Sequence, residues 1–330
     1  MPLPHEMTVI EMREPGGPEV LELGTRPLPN FQPHEVLIKV TAAGVNGPDL
    51  VQRRGHYPPP KGASDLLGLE VAGQIVAVGD RVSNWQSGMA ICALTNGGGY
   101  AEFVAVNADH CLPIPDGVDI VDAAGLPETY FTVWSNVFFQ HNVAAGQNFL
   151  VHGGAGGIGS TAVQIAAVLG LNVFTTADSD EACRYCKDLG AAKAINFNEQ
   201  DFVSIVRESG GADIILDIIG GDYVARNIKA ARADARIIQL AFNKGSKIDI
   251  DLMPLMLKRL KLTGSTLRSR PDSFKSAVAS DLKRTVWPFF SSAQRRLKTT
   301  TFATFPLANA AEAHSLMESA NQRGKILLTI

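Results

Sequence analysis

The stretch that decides the fold is N-F-L-V-H-G-G-A-G-G-I-G-S, residues 148–160. Its opening residues form a short apolar, strand-like run, and Gly154, Gly156 and Gly159 satisfy G-x-G-x-x-G. Beyond the turn, Ile158, Ala162, Ile165, Ala166 and Leu169 recur on one helical face, and Gly170 stops that helix. A glycine string alone is a weak signal. Placed between a strand and a helix, it is the context a dinucleotide-binding turn requires. Gly154 then permits the tight turn, Gly156 lets the main chain approach a pyrophosphate, and Gly159 lets the helix pack close to the sheet. The amides around Ala155, Gly157 and Ile158, at the positive end of the helix dipole, are the candidate phosphate donors. The alternative is an ordinary glycine-rich turn.

Reading toward the C-terminus, further short strands are predicted at 172–176, 194–196, 214–217, 237–240 and 262–264. Helical patterns lie between them at 180–189, 200–207, 223–231 and 253–259. This alternation implies a doubly wound parallel sheet. At the end of its second strand stands T-T-A-D-S-D-E, with Asp178 about 20 residues past Gly159, followed by Ser179. An acid there hydrogen-bonds a ribose 2′-OH and repels a 2′-phosphate, which favours NAD(H) over NADP(H). One of these acids could instead simply cap the following helix.

Reading toward the N-terminus, the first 115 or so residues give short strands at 8–12, 20–23, 35–42, 73–78 and 99–106, broken by Gly and Pro. They suggest an antiparallel, barrel-like domain. An apolar helix is predicted at 129–139, including Thr132. After Pro271, Phe274, Val278, Leu282 and Val286 mark an amphipathic helix, and a final strand is predicted at 325–330. These last elements are read as a return to the first domain. The expected division is 1–124, 125–265 and 266–330.

Composition limits the function. The 330 residues carry 30 lysines plus arginines against 33 aspartates plus glutamates, a net charge of −3 with no basic field for nucleic acid. No apolar run is long enough to cross a membrane, and a cytoplasmic location is the expectation. Four cysteines are too few for a disulfide scaffold, and Cys183 and Cys186 read as thiols on adjacent helical turns, not a metal pair. The seven histidines do not cluster. His152 is expected to pack at the end of its strand, the others at the surface.

The chain resembles the quinone oxidoreductase (zeta-crystallin-like) branch of the medium-chain dehydrogenase/reductase superfamily. The likeness is carried by A-A-G-V-N-G-P-D-L-V-Q-R-R-G-H-Y-P-P-P (42–60), L-G-L-E-V-A-G (67–73), the 148–160 turn, L-D-I-I-G-G (216–221), G-S-T-L-R-S-R (264–270) and R-G-K-I (323–326). The resemblance implies an α/β fold: a GroES-like β-rich catalytic domain built from both chain ends, and a Rossmann doubly wound domain inserted between them. It implies that the nicotinamide lies between the domains. It also places Asn46, Asp49 and Tyr57 on the substrate side. Ala241, Phe242, Asn243, Leu267 and Arg268 would flank the nicotinamide and diphosphate, Thr132 would also bind the coenzyme, and Lys325 would reach toward it. Phe197 stands where NADP-using relatives carry a Tyr. Zinc-dependent members carry a catalytic Cys and a G-H-E motif where this chain has Asn46 and Gly68-Leu69-Glu70, so no metal is expected.

The activity so implied is hydride transfer from the C4 of NADPH or NADH to a quinone or another electron-poor small molecule. Tyr57 could donate to the acceptor carbonyl or merely shape the pocket. Asn46 and Asp49 could anchor substrate or the nicotinamide ribose, or be turn residues beside Pro48. The alternatives are an enoyl or enone reductase of the same superfamily, or a binding protein that has lost catalysis. A homodimer is expected, joined through the outer strand near residues 262–266.

Overall fold

The computed structural model describes residues 3–294, 296–319 and 322–330. In chain order the strands are β1 (Glu6–Met12), β2 (Leu21–Pro27), β3 (Glu35–Val45), β4 (Glu70–Val78), β5 (Ala90–Leu94), β6 (Phe103–Asn107), β7 (Cys111–Pro113), β8 (Asn148–His152), β9 (Asn172–Ala177), β10 (Lys193–Asn196), β11 (Ala212–Asp217), β12 (Ala231–Gln239), β13 (Lys261–Gly264), β14 (Thr301–Pro306) and β15 (Lys325–Thr329). The helices are α1 (Gly47–Arg53), α2 (Ile120–Ala123), α3 (Pro127–Val133), α4 (Gly157–Val168), α5 (Asp180–Asp188), α6 (Phe202–Glu208), α7 (Tyr223–Ala230), α8 (Met253–Leu257), α9 (Asp272–Thr285) and α10 (Ala310–Glu318). Two compact units result. One comprises the chain up to Phe131 with Arg268–Ala293 and Lys298–Ile330, the other Thr132–Leu267 with Gln294–Leu297.

The second unit is a six-stranded parallel sheet in the order β10-β9-β8-β11-β12-β13. Its central strands β8 and β11 are buried and read as largely apolar runs. Leu150, Phe174, Ile195, Ile215 and Ile237 pack there with Phe202, Val206, Tyr223 and Ile228. Strand order reverses between β8 and β11, and such a switch point is where open α/β sheets bind ligands. The glycine turn follows β8 there, with one change from the sequence reading. The left-handed residue is Gly153 (φ +69°), not Gly154. Gly154 is required because a Cβ on it would lie 1.9 Å from Thr175 Oγ1 on β9, and Gly159 because its Cβ would lie 2.1 Å from Gly153 O.

The helix predicted at 129–139 opens earlier, at Pro127, and its second half winds as a π-helical turn over Trp134–Phe138. Side chains stabilise that wider turn. Arg236 donates to the carbonyls of Asn136 (3.0 Å) and Val137 (2.7 Å), and Asn136 Nδ2 donates to Thr132 O (2.8 Å).

In the first unit β14-β15-β3-β4-β5-β7 form a sheet, with β6 also pairing with β3. All pairs are antiparallel except β14–β15. Val36, Ile38, Val71, Ile75, Ile91, Ile326 and Leu328 form its core. The pairing of β15 with β3 sets Ile326 against Val45 and so brings Lys325 beside Asn46. Strands β5 and β7 and helix α1 escaped the sequence reading. The strand predicted at 99–106 starts only at Phe103, because Gly97 and Gly98 turn the chain with positive φ. Two histidines expected at the surface, His110 and His314, are buried. His314 Nδ1 faces Arg53 Nη1 (3.1 Å) and its Nε2 faces Tyr100 Oη (3.0 Å). Arg53 can only donate, so Nε2 carries the ring proton and donates to the phenol.

Candidate active site

In the first unit the site grows from the end of β3. Asn46 precedes α1 with extended backbone, a position where Asn ordinarily caps a helix with its own side chain. Here Asp49 supplies the capping group. Its Oδ2 accepts the Asn46 N–H (2.9 Å) and its Oδ1 accepts the Gly68 N–H (3.0 Å). The Asn46 amide is thereby left for other partners. Its Nδ2 donates to Glu70 Oε1 (2.9 Å), and its Oδ1 accepts from Lys325 Nζ (2.6 Å). Lys325 also pairs with Glu70 Oε1 (2.6 Å) and reaches Val45 O (3.3 Å). The remaining oxygen of Glu70 accepts the N–H of Glu128 (2.8 Å). Gly44 must lack a side chain, since a Cβ there would overlap Glu70 Oε1.

This geometry shows how three of the expected site residues are held. Asp49 is fully buried and lines no opening; it fixes the 46–49 turn to Gly68. Desolvation pushes its carboxyl up to about 6, against the pull of the Gly68 and Asn46 amides. Lys325 is committed within the cluster: its three ammonium protons have acceptors on Glu70, Asn46 and Val45. Arg268 is also buried and committed. It donates to Asn96 O (2.9 and 2.7 Å) and Gln52 Oε1 (2.6 Å), and its guanidinium stands 5.6 Å from the Tyr57 ring centroid. Tyr57 is half-buried, and burial together with the nearby Glu128 raises its phenol above the usual range.

In the second unit the expected coenzyme residues gather at the C-terminal ends of the parallel strands. After β8, the N–H groups of Ala155, Gly157, Ile158 and Gly159 have no acceptor among the described residues, while that of Ser160 already bonds to Gly156 O (2.8 Å). A Cβ on Gly156 would meet only Gly153 O, at 3.6 Å, so the space over the turn is open. Four free amides at the start of a 12-residue helix fit an anionic diphosphate. After β9, Ser179 Oγ caps α5 by accepting the Ala182 N–H (3.2 Å), so Asp178 is not the cap. Asp178 is exposed and accepts the Ser179 hydroxyl (3.0 Å). Phe197 lies just beyond β10 and is exposed. Ala241, Phe242 and Asn243 follow β12, with Ala241 O fixed by Gln239 Nε2 (2.6 Å) and the Asn243 N–H by Ile218 O (3.3 Å). Thr132 is half-buried on α3, and Leu267 is buried beyond β13. His152 packs edge-on between Phe202 and Tyr223. Its Nε2 lies 2.7 Å from Asn227 Oδ1, and Asn227 Nδ2 donates to Asp217 Oδ2 (2.9 Å). Asp217 in turn accepts the Ile219 and Gly220 N–H groups, so this chain holds the turn after β11.

Residues 32–116 match the family described as alcohol dehydrogenase GroES-like domain, and residues 157–282 the one described as zinc-binding dehydrogenase. A quinone oxidoreductase of Rattus norvegicus is 33% identical over 331 residues, covering 98% of each chain. The chain belongs to the quinone oxidoreductase branch of the medium-chain dehydrogenase/reductase superfamily. It is a nicotinamide-dependent oxidoreductase of that superfamily. The fold is similar to that of a Pseudomonas syringae pv. Tomato DC3000 quinone oxidoreductase (26% identity, TM-score 0.85, covering 98% of this chain and 100% of the other). It is also similar to an NAD-dependent alcohol dehydrogenase (28%, TM-score 0.86, 98% and 99%).

Zinc does not fit the residues present. Where zinc-dependent members carry a thiolate and an imidazole, this chain offers the Asn46 amide and Leu69, with a lysine ammonium already between Asn46 and Glu70. Among the described residues no three His, Cys, Asp or Glu side chains converge as metal ligands would. Cys92 and Cys111 are buried thiols, held protonated by desolvation.

Proposed function

We propose that this protein is a zinc-independent NAD(P)H:quinone oxidoreductase that prefers NADH. The observation that carries the reading is the set of unpartnered amides at Ala155, Gly157, Ile158 and Gly159 beneath an open Gly156. In this reading they and Gly154 hold the coenzyme diphosphate, Asp178 and Ser179 the adenosine ribose beside Phe197, and Thr132, Ala241, Phe242, Asn243 and Leu267 the nicotinamide side. When bound, the coenzyme supplies a hydride from C4 to the acceptor. The chain's own residues then bind and orient. Tyr57 stacks on and donates to an electron-poor acceptor, over the Asn46–Glu70–Lys325 cluster. Asp49, Lys325 and Arg268 act by holding Asn46 and Tyr57 in place.

The functional division proposed is a catalytic part, 1–124 with 266–330, and a coenzyme part, 125–265. The four free cysteines suit a reducing, cytoplasmic setting. A homodimer is proposed through the exposed edge strand β13. There Leu262 is 43% exposed, and Met256 and Leu257 on α8 are 62% and 66% exposed.

An acceptor panel tests the activity. Steady coenzyme oxidation with 1,2- and 1,4-quinones, and little with 2-enals or enoyl thioesters, is the expected result. Turnover of the activated C=C compounds alone would assign the enone reductase activity instead.

A further inference from the structure

Glu128 is the second residue of α3 and only 9% exposed. Its main-chain N–H is satisfied by Glu70. Its carboxyl makes no hydrogen bond and no ion pair among the described residues. Several charged and titratable groups lie close enough to act on it. Glu70 comes from β4, Lys325 from β15, Asp49 from α1 and Lys275 from α9, while Tyr57 and Arg268 couple to it from the acceptor side. The three cations in this set are engaged elsewhere. Lys325 is held by Glu70 and Asn46, Arg268 by Gln52 and Asn96, and Lys275 by Asn96 Oδ1 (2.7 Å) and Arg268 O (2.8 Å). Glu70 thus takes the buried lysine, and Glu128 is left as an acid without a counter-ion beside a fully partnered carboxylate.

Of two carboxyl groups so placed, the solitary one has no cation of its own to offset the loss of water and keeps its proton. Desolvation, reinforced by Glu70, pushes Glu128 up to about 8, over the opposing pull of Lys325 and Lys275. At neutral pH it can therefore donate a proton.

We propose that Glu128 is the general acid of this site and protonates the acceptor oxygen once the hydride has arrived. The proposal rests on the quinone reductase reading above. Hydride transfer oxidises the nicotinamide and leaves a hydroquinone monoanion. The Glu128 O–H bond breaks as the new O–H bond forms on that oxygen, and the carboxylate regains its proton from water. Tyr57 orients the oxygen by its hydrogen bond.

The test uses the native protein and Glu128→Gln, an isosteric change. Infrared difference spectra of the native protein between neutral and alkaline pH should show a carboxylic C=O band that titrates near pH 8 and is absent from the variant. In the native enzyme kcat with a 1,4-quinone should fall across that titration. In Glu128→Gln it should be lower by about 10²-fold and flat over the same range, with coenzyme affinity unchanged. A native enzyme that turns over quinone, with a variant that keeps the native kcat and pH profile, overturns the assignment and leaves the quinone reading intact. A native protein that binds coenzyme but reduces no quinone removes both. If the variant does not fold, the native infrared titration decides: a carboxyl already ionised at neutral pH overturns the assignment.

Discussion

Lys325 Nζ lies 2.6 Å from both Glu70 Oε1 and Asn46 Oδ1, so one buried ammonium ties the last strand of the chain to the start of α1. The pair is buried, where an unbalanced charge is costly. Lys325→Met leaves the Glu70 carboxylate without its cation, and a loss of about 3–5 kcal/mol in denaturant unfolding is expected. Adding Glu70→Gln should recover a substantial part of that loss. Additive losses in the double variant would show that the two residues do not act as a pair.

Folding stability should fall in acid because of His314. Its imidazole is held neutral, since burial lowers its pKa from 6.5 to about 3 and Arg53 opposes its charging. Between those values the unfolded chain takes up a proton that the folded chain refuses. The stabilisation is therefore present above pH 6.5 and is lost as pH falls toward 3. Asp49 and Glu128, raised in the folded state, act with the opposite sign, so the comparison must be made between variants. The difference in unfolding free energy between native and His314→Gln protein should shrink as pH falls through that window. A pH-independent difference would show that His314 does not titrate this way.

The coenzyme preference should reside in Asp178. The carboxylate is exposed, and Ser179 rather than Asp178 caps α5. Binding titrations should give NADH tighter than NADPH by at least about tenfold, or ~1.4 kcal/mol, and Asp178→Gly should erase or reverse that ratio. Tighter NADPH binding by the native protein would contradict this.

The edge strand gives a prediction about assembly. β13 is exposed along its whole length beside the apolar α8. Light scattering should report a dimer, and Met256→Glu combined with Leu262→Lys should give a monomer that still binds coenzyme. A native protein that is monomeric at micromolar concentration would exclude this interface.

Much of this was legible in the sequence because it depends on local pattern. The strand–glycine–helix succession at 148–170 predicts β8, the turn and α4, and the apolar strands around it predict a parallel sheet. The spacing of Asp178 from Gly159 led to an acid at the end of β9. Helix α1 was missed because Asn46, Pro48 and Asp49 read equally well as turn residues; the Asn-x-x-Asp spacing was the available signal. The buried charges were out of reach for a different reason. Glu70, Glu128, Lys275 and Lys325 come from four separated segments, and tertiary packing, such as the return of β15 onto β3 that places Lys325, brings them together. The same long-range packing buries His314 between Arg53 and Tyr100, which no local pattern announces.

The central claim is that the main-chain amides over Gly156 receive a coenzyme diphosphate. Gly156 has φ −75° and ψ 176°, values open to any residue, and a Cβ there meets nothing closer than 3.6 Å. Gly156→Val should therefore leave the free protein folded, with nearly the native melting temperature, and fill only the space a coenzyme would use. Calorimetric titration with NADH is the direct measurement. The account predicts that the native protein binds one NADH per chain and that the variant binds at least about a hundredfold more weakly, ~2.8 kcal/mol. Equal affinity of the two proteins would contradict it.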